Sequence, residues 1–200
     1  MFNDRFGLTE AVLAGRKTMT RRIIKGNFEN VKAYHANGGW HYIADTDDGD
    51  SVELKPNYTE CEEVWIAQSY QSLGHEPDEW LENIDGGLQP AYELAGYKNK
   101  MFARSIYMEH RIRIKSIKVE RLQDISNEDC LKEGIILDDT APSCYKPFYT
   151  FPNSVEDGTP VGYKTPRMAF AKLIDFVSHG SVWDSNPWVY VYTFKLIDMK

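Results

Sequence analysis

The chain has 200 residues, 42% hydrophobic and 26% charged, which is enough to bury a core without metal or disulfide staples. Its net charge of −7 excludes broad, nonspecific binding of duplex nucleic acid, which calls for a basic domain. Any nucleic-acid role must therefore be local and selective. Cys61, Cys130 and Cys144 include no CxxC pair, so no disulfide framework is implied and a reducing cytoplasm fits best.

His35, His41, His75, His110 and His179 show no metal-ligand spacing beside cysteine or carboxylate, so neither metal nor cofactor is expected. The opening Met1-Phe2-Asn3-Asp4-Arg5 lacks the apolar run of a signal peptide. No stretch approaches the length of a membrane span.

A helix is expected over residues 8–14, with Thr9 as its cap and Gly15 as the left-handed residue that ends it. The threonines and isoleucines of residues 16–24 predict that the next segment becomes a strand. Asn37-Gly38-Gly39, lying between residues 31–34 and 40–43, predicts a hairpin. Residues 63–68 read as another strand. Residues 72–100 look like an insertion with one short helix near residues 77–82.

A long strand follows over residues 110–120. Ile112 and Ile114 share one parity, whereas Ile117 and Val119 fall on the other. A bulge near Lys115-Ser116 would restore one apolar face, as happens where a sheet curls toward a barrel. Ser126 caps a short helix that carries Glu128 and Asp129 in its first turn and stops after Glu133, at Gly134.

Residues 137–164 read as a long loop, functional or disordered. Thr165-Pro166 opens a helix with Ala169, Phe170, Leu173, Ile174 and Val177 at helical spacing. Residues 188–197 form the final strand. No GxGxxG or βαβ rhythm is present, which argues against a Rossmann-type fold. The expected fold is α+β and β-rich: a mixed β-barrel flanked by short helices near residues 8–14, 127–133 and 166–178. One domain is expected over residues 1–200, with insertions near 72–100 and 137–164.

The sharpest chemical feature is the acid-free segment containing Gly15, Arg16, Lys17, Arg21, Arg22 and Lys25. Arginine forks suit phosphate, and lysine suits phosphate or catalysis. The Gly15 turn would bring backbone N–H groups to a ligand. A solvated surface strand is the open alternative. Reversing the charge of Arg21 and Arg22 is expected to weaken nucleic-acid binding without unfolding the protein, because surface changes cost little stability. Arg111, Arg113, Lys115 and Lys118 could line a cationic groove or simply guard a strand edge. Glu133 sits at a helix C-terminus, where a carboxylate is disfavoured; a cation such as Lys17 would justify it. Trp65, Trp183 and Trp188 could stack on bases or pack in the core.

The run Ala11-Val12-Leu13-Ala14-Gly15-Arg16-Lys17-Thr18-Met19-Thr20-Arg21-Arg22 resembles the opening motif of ASCH domains, which have a PUA-like β-barrel. Residues 117–126, continuing to Glu133-Gly134-Ile135, are similar to the central signature of ASCH proteins of phages and prophages. Ser185-Asn186-Pro187-Trp188 and Thr165-Pro166-Arg167 also resemble segments of that group. The chain departs from these relatives after Trp65, where Ile66-Ala67-Gln68 replaces an Arg-Glu pair, and at Met108-Glu109, where they carry Met-Pro.

The resemblance implies a role in binding RNA, a modified base or a nucleotide in a cleft. A small bacterial branch hydrolyses acetylcytidine with a lysine, a threonine and a glutamate. On this sequence the first two fall on Lys17 and Thr20, and Glu133 is the best match for the third. Three readings follow. The first is a module that binds RNA or a modified nucleoside through Gly15, Arg16, Lys17, Arg21, Arg22, Arg111 and Arg113. The second is an amidohydrolase with Lys17, Thr20 and Glu133. The third is a non-catalytic module that binds a protein partner through residues 137–164.

Overall fold

Helix α1 (Leu8–Leu13) buries Leu8, Ala11 and Val12 and stops where the sequence places its glycine. Gly15 takes φ +70°, and its N–H donates to the Val12 carbonyl at 2.9 Å. Thr9 does not cap this helix. The backbone is already helical at Leu8, left-handed Gly7 precedes it, and the Thr9 hydroxyl donates inward to Asp4. The computed structural model describes residues 2–36, 39–139, 147–156 and 159–197.

After α1 come β1 (Met19–Ile23), β2 (Phe28–Ala36), β3 (Gly39–Thr46), β4 (Ser51–Leu54), β5 (Glu63–Trp65), β6 (Trp80–Glu82), β7 (Leu88–Pro90) and β8 (Arg111–Arg121). Then follow α2 (Asn127–Lys132), β9 (Ile136–Leu137), β10 (Tyr149–Thr150), β11 (Val155–Glu156), β12 (Thr159–Pro160), α3 (Pro166–Ser178), α4 (Val182–Ser185) and β13 (Trp188–Ile197). The fold is α+β and strand-rich, with a sheet curled into half a barrel and few short helices. Two compact units divide the chain. The larger is built from Asn3–Glu62 and Arg113–Lys195, the smaller from Glu63–Ile112 and a few terminal residues.

In the larger unit β1, β13 and β8 are neighbours in that order. The β1–β13 ladder is antiparallel and sets Thr20 opposite Tyr192 and Arg22 opposite Tyr190. Val189, Val191, Tyr192 and Phe194 are fully buried along β13, as the aromatic-rich pattern of that strand requires. On β8, Ile112, Ile114 and Ile117 are buried while Lys115 and Ser116 are both exposed. The apolar parity therefore changes between Ile114 and Ile117, as expected from the sequence.

The β2–β3 hairpin pairs His35 with Trp40 and Ala33 with Tyr42. The expected turn residues Asn37 and Gly38 lie outside the described residues, as does Cys144. Ser126 caps α2 by accepting from the Asp129 N–H, and Thr165 caps α3 by accepting from the Met168 N–H. Helix α4 is a single turn without a side-chain cap, and no sequence signal announces it. The described parts of residues 137–164 form short ladders, β9 with β10 and β11 with β12. They bury Phe151, whose ring packs edge-on against Phe6.

The smaller unit holds no α-helix near residues 77–82. Trp80 and Leu81 instead enter the β6–β7 hairpin, with Leu81 opposite Gln89. The Asn83 side chain accepts N–H bonds from Asp85 and Gly87 and shapes the turn. Of β6 only Leu81 is buried, a strand-like alternation too short to be distinguished from one helical turn. Leu81 packs with Tyr70, Ala91 and Tyr97. Strand β5 is shorter than the expected residues 63–68 and ends at Trp65.

Candidate functional site

The turn between α1 and β1 aims the site. The Lys17 N–H donates to the Ala11 carbonyl at 2.8 Å, and the Thr18 N–H donates to the Lys132 carbonyl at 2.9 Å. Lys17 thus belongs to the turn, and the strand starts two residues later at Met19. Because of this, Lys17 escapes the alternation that would otherwise fix its direction relative to Thr20. The second bond ties the turn to the end of α2, where Glu133 is the C-cap. Gly134 follows at φ +108°, and the Lys17 side chain passes over it: a Cβ there would lie 3.7 Å from Lys17 Cδ and 3.3 Å from Leu8 Cδ2.

Lys17 Nζ donates to Glu133 Oε2 at 2.6 Å and to the Glu133 carbonyl at 2.7 Å. The side chains are 2% and 5% exposed. Burial pushes the Lys17 amine below its ordinary value, opposed by the Glu133 carboxylate and reinforced by Arg22 and Arg21. An amine with weakened hold on its proton, in contact with a carboxylate, is equipped for proton transfer.

The other Glu133 oxygen is held by Arg21, whose Nη1 donates to Oε1 at 3.0 Å. Arg21 Nη2 reaches Glu120 Oε1 at 2.6 Å and Asp129 Oδ2 at 3.4 Å. Its guanidinium also stands 5.9 Å from the Phe170 ring. Burial works against the Arg21 charge, yet Glu133 and then Glu120 outweigh it and raise the pKa. The Arg21 side chain is 1% exposed, so the expectation of a surface arginine that grips phosphate is corrected. Its partners come from β8 and α2, elements that the local run could not announce. Lys118 and Lys132 add ion pairs to Asp129 at 3.7 and 3.1 Å.

Thr20 and Arg22 occupy the alternate face of β1. Arg22 Nη1 donates to Thr20 Oγ1 at 2.8 Å, and across the ladder stand Tyr192 and Tyr190. The Tyr192 hydroxyl accepts from the Asn57 N–H at 3.1 Å. No family model, no curated protein and no solved structure matches the chain.

The remaining expected residues disperse. Gly15 forms the turn, with open space where a Cβ would stand. Arg16 is exposed and 3.8 Å from Glu10. Arg111 lies in the smaller unit, paired with Glu63 at 2.8 Å and set 4.8 Å from the Trp65 ring. Arg113 is half-buried in the larger unit. Lys17 and Glu133 are therefore in direct contact, and Thr20 is held by Arg22. Glu120 and Asp129 complete the cluster, unannounced by the sequence except as acids beside Lys118 and in a helix first turn. Among the described residues no group of His, Cys, Asp and Glu is arranged to hold a metal, and no helix is long and apolar enough to cross a membrane.

Proposed function

We propose that this chain is an ASCH-type protein with a PUA-like barrel that binds a modified nucleoside or nucleotide at Lys17 and Glu133. The observation that carries the reading is the buried contact of the Lys17 amine with the Glu133 carboxylate and carbonyl. Two charges withdrawn from water at the end of a helix recover little net stability. A carboxylate at a helix C-terminus is a further disadvantage. Such a pair is better explained by a ligand that meets it than by folding alone. A small ligand suits the acidic balance of −7, since Arg21 is consumed by internal carboxylates.

The lowered proton affinity of Lys17 favours a second reading, hydrolysis of an N-acetylated cytidine. In that reaction water adds to the acetyl carbonyl and the C–N bond breaks. The exocyclic nitrogen leaves as the free amine, and acetate is the other product. Lys17 would take the proton from the attacking oxygen, and Glu133 would relay that proton to the leaving nitrogen.

Calorimetric titration with cytidine and N4-acetylcytidine, followed by chromatography of the mixtures, tests both. Binding without turnover supports the module. Turnover that disappears in Lys17→Ala supports the hydrolase. Absence of binding to either nucleoside overturns the proposal.

A further inference from the structure

A second candidate site lies within the larger unit, lined by none of Lys17, Thr20 and Glu133. A cavity of about 330 Å³ is lined by His35, Trp40, Tyr42, Pro56, Thr59 and Glu60, among others. That volume is at the lower end of small-molecule sites, which run from roughly 300 to 1,000 Å³. Its walls follow from strand register. His35 and Trp40 are opposite one another on β2 and β3, and Tyr42, two residues on, shares their face. Toward the core this face is covered, and Tyr42 is 2% exposed. Toward the hairpin tip it opens, and Trp40 is 49% exposed. The His35 and Trp40 rings meet edge-on at 83°, with centroids 5.6 Å apart. They form two perpendicular walls rather than a flat stack.

The opposite wall is the segment 56–60, held beside β8 by the Cys61 N–H bond to the Ile114 carbonyl at 3.0 Å. It brings the Glu60 carboxylate, which forms no ion pair among the described residues. The Tyr42 hydroxyl donates to the Ile117 carbonyl at 3.4 Å. Its pKa is pushed up to about 12 by burial first and by the Glu60 charge second, so the field of Glu60 reaches the cavity floor. No lysine or arginine lines the cavity among the described residues, which disfavours a phosphate-bearing ligand. Ring faces carry negative charge density. Aromatic walls with one uncompensated carboxylate are complementary to a weakly hydrated organic cation.

We infer that this aromatic cavity binds a methylated ammonium group carried by a small molecule, with Trp40 supplying the ring face and Glu60 the counter-charge. The test is a ligand-observed NMR titration of the whole chain with choline, against its neutral carbon analogue 3,3-dimethylbutan-1-ol. Choline is expected to bind saturably and about tenfold tighter than the neutral analogue, a difference within the reach of a partly desolvated cation–π contact.

Trp40→Ala should abolish the preference, Trp40→Phe should retain part of it, and Glu60→Gln should weaken choline alone. Both positions are exposed, so unchanged melting temperatures are expected and verify folding. Three results would overturn the inference: no saturable choline binding, equal affinity for the neutral analogue, or choline binding unaffected by Trp40→Ala.

Discussion

Arg21 carries its charge into the interior and meets carboxylates there from two elements distant in sequence. Removing it would leave Glu120, Asp129 and Glu133 facing one another, with Lys17 on Glu133 and Lys118 and Lys132 at the rim. Arg21→Met is therefore expected to destabilise the protein by about 3–5 kcal/mol, the usual effect of stranding one side of a buried pair. Lys17→Met should cost distinctly less, because Glu133 keeps Arg21 as partner. Urea denaturation of the two variants measures the difference, and equal losses would contradict the network as described. Gly134→Ala should also destabilise, by roughly 1–3 kcal/mol, because φ +108° is strained for a side chain and Leu8 stands 3.3 Å from the new Cβ.

At the scale of elements, β3 and β13 hold buried tyrosine hydroxyls and α2 holds a buried thiol. The pKa values of Tyr42 and Tyr190 are pushed up to about 12 by burial, and that of Cys130 on α2 likewise to about 12. The ordinary values are 10.0 for tyrosine and 9.0 for cysteine. Folding keeps these groups protonated, so their contribution is fully present below the ordinary values. It is lost as pH rises through that window toward about 12. Lys17 acts with the opposite sign, since a depressed amine costs less once it is neutral. Alkaline titration followed by tyrosinate absorbance should show Tyr42 and Tyr190 ionising late, together with the loss of structure. Titration at ordinary values in the folded protein would refute this burial.

The elements that declared themselves in the sequence did so through local chemistry. Ser126 and Thr165 announce caps, Gly15 and Gly134 announce left-handed stops, and Trp188 to Phe194 alternates aromatic with smaller residues. Where the signal was one turn long, as at Trp80 to Glu82, strand and helix could not be told apart. The candidate site was legible only in part. Lys17 and Glu133 stand 116 residues apart, yet each is locally odd enough to be noticed. Arg21 looked like its basic neighbours, because its partners Glu120 and Glu133 are 99 and 112 residues away.

For the molecule as a whole, the charge of −7 and the internal use of Lys17 and Arg21 limit any grip on a polymer. The basic segment has five cations, Arg16, Lys17, Arg21, Arg22 and Lys25; with Lys17 and Arg21 turned inward, three remain for phosphate. Each contact contributes roughly −0.7 to the slope of log affinity against log salt for single strands. A short RNA should therefore bind with a slope no steeper than about −2 in a salt titration. A slope near −4 would mean that buried cations become available on binding.

The β1–β13 ladder also has a bearing on how the protein is made. Met19 pairs with Thr193 and Ile23 with Val189, so an early strand completes its hydrogen bonds only with the last one. During synthesis β1 waits as an open edge while the intervening chain emerges, and closing so long a loop delays the sheet. Until then α1 and its glycine turn have no α2 to anchor them, because the Thr18 bond to Lys132 also spans most of the chain. The unpaired edge is exposed to other growing chains for that interval. The basic segment that opens β1 carries like charges there, and their mutual repulsion keeps two nascent copies from pairing edge to edge.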